Sequence, residues 1–100
     1  MNNIYRISAV FELDRETHKE DAQHRVGRFG YLDFIDIGVP FYIRYIDEEN
    51  LGKMMKSSHV EEIDEDDYGV YITTENSVYR LDTASIDVWT DKHEESDFKM

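Results

Sequence analysis

The sequence predicts a mainly β protein: a small, strongly bent antiparallel sheet or SH3-like barrel, with one short helical excursion near residues 14–25. Three observations carry that expectation. Apolar and polar residues alternate with a period of two in several short runs, as half-buried strands require. The runs are rich in β-branched and aromatic residues. Short polar clusters such as Lys56-Ser57-Ser58 and Glu75-Asn76-Ser77 punctuate them, where a meander needs its turns.

Taken in order, Ile4 to Leu13 alternates, with Tyr5, Ile7, Ala9, Phe11 and Leu13 on one face, and reads as a half-buried strand. From Asp14 to Arg25 the apolar residues vanish except Ala22. Asp14 as an N-cap and Thr17-x-x-Glu20 as a capping box point to a helical turn or two, or else to a loop. Gly27, Gly30 and Gly38 mark backbone bends around Arg28-Phe29 and Tyr31 to Ile37. Their spacing lacks the following helix and Lys-Ser/Thr of a phosphate loop.

Pro40 opens the next strand, Phe41 to Ile46, in which Phe41, Ile43 and Tyr45 oppose Tyr42, Arg44 and Ile46. Asp47-Glu48-Glu49-Asn50 with Gly52 makes the turn, and Lys53 to Lys56 returns. After the polar break at Lys56-Ser57-Ser58, Val60 to Ile63 forms a short strand. The acidic turn Asp64 to Gly69 leads into Val70 to Thr74, and Ser77 to Asp82 comes back across Asn76. Ile86, Val88 and Trp89 offer a last edge strand. Residues 1–90 are therefore expected to form one domain, and the polar stretch 91–100 a disordered acidic tail.

Composition narrows the function. The chain of 100 residues has no cysteine, which excludes disulfide frameworks, thiolate zinc sites and thiol nucleophiles. No basic and apolar leader opens it and no apolar run approaches a membrane span, so a soluble cytoplasmic protein is expected. The formal charge of −12 is unevenly placed. Acids and bases cancel over residues 1–30, whereas residues 31–100 carry eighteen acids against six bases. Such a field repels nucleic acid and attracts basic surfaces, although an acidic surface also serves solubility alone.

At Lys56-Ser57-Ser58-x-Val60-x-x-Ile63 and Thr74-x-Asn76-Ser77-x-Tyr79-x-Leu81 the chain resembles uncharacterised small β-barrel-like proteins of low-GC Gram-positive bacteria and their phages. Arg28-x-Gly30-x-Leu32 extends the match upstream. Ser57 stands where that pattern has Thr, and His59 where it has Pro. The resemblance implies a small barrel and a mobile-element setting, and it transfers no catalytic residue.

The acids at Asp64-x-Asp66-x-Tyr68-Gly69 with Glu75 mimic the spacing of a calcium loop, but Tyr68 occupies a ligand slot and no amphipathic helix flanks it. The four histidines are scattered, and no motif specifies a reaction. The expectation is a non-enzymatic acidic binding protein without metal or cofactor. It would inhibit or modulate a basic, nucleic-acid-binding host protein, such as a defence effector, with carboxylates in place of phosphates. The candidate contact residues are Asp47, Glu48, Glu49, Glu61, Glu62, Asp64, Glu65, Asp66 and Asp67, with Tyr42 and Tyr71 as aromatic contacts on the outer faces of their strands. A generic adaptor or oligomerising module is the alternative. A nucleotide-binding role would require Arg25, Arg28 or Arg44 to converge.

Overall fold

Six antiparallel strands follow one another around a closed barrel in the computed structural model, which describes residues 4–84. They are β1 (Ile4–Phe11), β2 (Phe29–Leu32), β3 (Pro40–Tyr45), β4 (Met54–Glu65), β5 (Gly69–Thr74) and β6 (Val78–Ala84). Each strand pairs with its sequence neighbour, and β1 closes the ring by pairing with β6 from Ile4↔Ala84 to Phe11↔Val78. The expected strand around Ile86 to Trp89 and the tail 91–100 lie outside the described residues.

Alternation places the core. Phe41, Ile43 and Tyr45 of β3 and Val70, Ile72 and Thr74 of β5 face inward, while Tyr42, Arg44, Tyr71 and Thr73 face out. Phe41 meets the Tyr79 ring edge-on, with centroids 5.2 Å apart, at the middle of this core.

Strand β1 departs from simple alternation. Ile7 and Val10, an odd and an even position, both enter the core, because a register shift between Ile7 and Ala9 inserts an extra residue against β6 and reverses the facing of the rest of the strand. Phe11 consequently lies partly exposed, against the His18 ring.

The break expected at Lys56-Ser57-Ser58 is absent: β4 runs unbroken for 12 residues. Its first half pairs with β3 and its second half with β5, and the register shifts where it passes from one to the other. Ser57 makes this possible. Its hydroxyl accepts the Phe41 N–H at 2.9 Å and donates to the Ser58 carbonyl at 2.7 Å, satisfying backbone groups that the shifted ladder leaves unpaired.

The excursion at 14–25 is mostly not helical. Asp14 caps a tight turn, accepting the N–H groups of Glu16 and Thr17 at 2.9 Å and the Thr17 hydroxyl at 2.6 Å, instead of opening a helix. Only Glu20–Arg25 coils, as a 3-10 turn, and it lays Ala22 into the core at 5% exposure. The short strand β2, in a stretch whose glycines suggested only bends, sits between β1 and β3.

Candidate protein-binding face

The acidic residues after β4's midpoint form one continuous limb. Glu61, Glu62, Asp64 and Glu65 lie on the second half of β4, and Asp66 and Asp67 in the turn to β5; all six are exposed. The turn is built by Asp66, whose Oδ1 accepts the N–H groups of Tyr68 at 2.8 Å and Gly69 at 2.9 Å. Gly69 is required there because a Cβ would stand 2.1 Å from the Leu81 carbonyl oxygen on β6.

Arg80 organises the outer face beside this turn. Its guanidinium donates to both Asp66 oxygens at 2.9 and 3.1 Å and to Asp82 at 2.8 Å, and lies 4.7 Å from the centre of the Tyr71 ring. The Arg80 contact, together with the weaker pull of the two backbone N–H groups, holds the Asp66 carboxyl down at about 2. At the other margin Arg15 donates to the Thr73 hydroxyl and pairs with Glu62 at 3.3 Å.

Four of the six carboxylates, Glu61, Asp64, Glu65 and Asp67, make no ion pair or hydrogen bond among the described residues. Tyr68 stands at the tip of the turn, 76% exposed. Tyr71 lies opposite Asp64 in the ladder and is half-buried beneath Arg80. The limb thus carries exposed carboxylates on both faces of β4, since neighbours such as Asp64 and Glu65 point to opposite sides, with one fully presented and one braced tyrosine.

The remaining candidates lie elsewhere. Asp47, Glu48 and Glu49 occupy the β3–β4 connection, at the opposite end of the 12-residue β4. Asp47 is partly buried and accepts the Asn50 side-chain amide through Oδ2, which makes it a turn residue. Tyr42 is on the outer face of β3, with the Lys56 ammonium 6.0 Å from its ring centre.

Tyr42 belongs to an apolar face that the sequence did not reveal. Asp33, Phe34, Tyr42, Arg44 and Met54 line a shallow groove of about 280 Å³, and Phe34 and Met54 are more than half exposed. Arg44 is clamped by Asp33 through two hydrogen bonds of 2.9 and 2.8 Å and stacks over Tyr31. The stretch between Leu32 and Pro40 has no strand periodicity, so of this face only Tyr42, through the alternation of its strand, was marked in the sequence.

The calcium-like spacing does not produce converging ligands. Asp66 precedes and Glu75 follows the six-residue β5, about 20 Å long. Glu75 instead holds the His59 ring at 2.9 Å, which lowers its own pKa. Among the described residues no group of three or more His, Cys, Asp and Glu could hold a metal ion, and no helix is long and apolar enough to cross a membrane. Arg25, Arg28 and Arg44 do not converge: Arg28 stacks on Tyr45 and Arg44 on Tyr31.

The class defined by this architecture is a six-stranded, next-neighbour antiparallel barrel carrying an acidic limb. No known family, curated protein or solved structure matches the chain.

Proposed function

We propose that the chain is a non-enzymatic binding protein for a basic protein partner, engaged through the β4–β5 limb. The supporting observation is the exposed set Glu61, Asp64, Glu65 and Asp67, which lack intramolecular cations among the described residues, beside the exposed Tyr68. Carboxylates so concentrated attract lysine and arginine over distances of order the Debye length, about 8 Å at physiological salt, and tyrosine supplies contact area with little rotamer entropy to lose. A partner that itself binds nucleic acid offers the complementary surface, so occupation by this limb would compete with phosphates and modulate or inhibit that partner.

The test is capture from a lysate at low and high salt with native chain and a variant carrying Gln or Asn at Glu61, Asp64, Glu65 and Asp67. These four are chosen because Glu62 and Asp66 also brace the fold through Arg15 and Arg80. The expected outcome is a basic protein released by salt or by duplex DNA and not retained by the variant. Retention of the same partner by the variant across the salt series removes the limb from the interface.

A second reading, an adaptor or self-associating module, rests on the Phe34, Tyr42 and Met54 face, whose aromatic and arginine content is that of interface centres. Sedimentation of the native chain beside Phe34→Ser decides it, since loss of a dimer on substitution would place the interface on that face.

A further inference from the structure

A cationic cluster lies away from the limb, in a cleft of about 210 Å³ between the Glu20–Arg25 turn, β4 and the β5–β6 turn. Lys19, Arg25 and Lys56 line it together with Ser58, Asn76, Ser77 and Tyr79, and Asp21 is the only acid in its lining. The cleft arises from topology. Strand β4 overhangs β5, which pairs with it only from Val60 onward, and the 3-10 turn covers the gap so formed.

Two of the three cations are held in place without being neutralised, and the third, Lys56, is exposed with its ammonium 6.0 Å from the centre of the Tyr42 ring. Lys19 Nζ donates to the Asn76 carbonyl at 2.9 Å and the Ser77 hydroxyl at 2.8 Å, and Arg25 donates to the Tyr79 hydroxyl at 2.8 Å. Among the described residues none of Lys19, Arg25 and Lys56 pairs with a carboxylate. An ammonium has three N–H donors and a guanidinium five, so these contacts leave donors on every one of the cations. The Ser58 hydroxyl and Asn76 amide likewise have no hydrogen-bond partner among the described residues. The floor is formed by Ser77 at 5% and Tyr79 at 3% exposure, so Lys19 and Arg25 are partly withdrawn from water. Withdrawn, unneutralised charge is costly unless an opposite charge meets it.

The geometry points to this cleft as a binding site for a phosphate group, with Lys19, Arg25 and Lys56 supplying charge and Ser58 and Asn76 directing donors at its oxygens. A planar carboxylate presents oxygens in two directions. Donors here approach from the 3-10 turn, from β4 and from the β5–β6 turn, and a tetrahedral oxyanion answers all of them. The volume is several times the roughly 30 Å³ share of one water, which admits a phosphate and the first atoms of whatever bears it. The site is independent of the limb's proposed role, and the chain's net negative field makes it selective for anions that enter the cleft over polyanions that span the surface.

Titration of the full chain with inorganic phosphate at constant ionic strength, followed by amide NMR, tests the site. Saturable shifts are expected at Ser58, Asn76 and Ser77, with a chloride control leaving them unmoved. Lys56→Gln, at an exposed position, should weaken binding about tenfold, the loss of one charge-assisted hydrogen bond. Asp21→Asn should tighten it, and thermal midpoints should stay near the native value in both. Adenosine monophosphate should move the same amides and adenosine should not, which identifies the phosphate as the recognised group and distinguishes a phosphomonoester from the free ion by affinity. Linear, chloride-like shifts, shifts produced by adenosine alone, or native affinity in both variants would overturn the assignment.

Discussion

Arg80 on β6 grips the carboxylate of Asp66 with two hydrogen bonds of 2.9 and 3.1 Å, fastening the β4–β5 turn to the neighbouring strand while its flat guanidinium covers Tyr71. The same Asp66 oxygen that receives Arg80 Nη2 also receives the backbone of Tyr68 and Gly69. One side chain therefore sets the turn that displays Tyr68 and fixes the end of the acidic limb.

The charge of Asp66 should be visible in the pH dependence of stability. Its folded pKa of about 2 lies below the ordinary 3.8, so its stabilisation is fully present above the unfolded value and is lost as pH falls through the folded one. Asp66→Asn keeps an oxygen for the turn and removes the charge. Its thermal midpoint should lie below the native one at pH 5–7, and the gap should close between about pH 4 and pH 2. A constant gap across that range would assign the effect to geometry alone.

Gly69 tests the close approach of β5 and β6. Gly69→Ala places a methyl 2.1 Å from the Leu81 carbonyl oxygen and 2.9 Å from Asp82 Cα, both backbone atoms. The strands must separate, at a cost of about 1–3 kcal/mol. Chemical denaturation should show the midpoint falling at unchanged slope.

The β5–β6 turn depends on Thr74 more than on the turn residues beyond it. The fully buried Thr74 hydroxyl donates to the Ser77 carbonyl at 3.1 Å and accepts the N–H groups of Ser77 at 3.2 Å and Asn76 at 3.4 Å. Thr74→Val keeps the shape and should cost about 1–3 kcal/mol by leaving buried backbone groups unsatisfied. Asn76→Ala, at an exposed side chain, should stay within about 0.5 kcal/mol of native. Equal losses in the two variants would move the anchor to Asn76.

Tyr68 separates function from folding. At 76% exposure its truncation to Ala should leave the thermal midpoint unchanged, yet weaken capture of a basic partner by tenfold or more if it is an interface anchor of about 1.4 kcal/mol or greater. Unchanged capture would leave the carboxylates alone as the contact.

Much of the barrel is legible in the chain because its signals are local. The alternation in Phe41 to Tyr45 and Val70 to Thr74 places the inward rows, and Gly52, at φ +88°, closes the turn that its sequence position suggests. The acidity of Glu61 to Asp67 and the exposure of the turn at Tyr68-Gly69 are likewise properties of a short segment. Strand character, turn chemistry and charge run require no knowledge of distant residues.

Tertiary structure decided the rest, since the relevant partners are far apart in sequence. Closure depends on β1 meeting β6, and the continuity of β4 through Ser57-Ser58 depends on Phe41 offering its N–H to Ser57. Lys19 reaches Asn76 across 57 positions and Arg80 reaches Asp66 across 14, so neither the cationic cleft nor the braced limb has a pattern in the linear chain. Hydrogen bonds and charge pairs of this kind exist only after the sheet has curled, because it is the bend of β4 from β3 to β5 that brings their elements within reach.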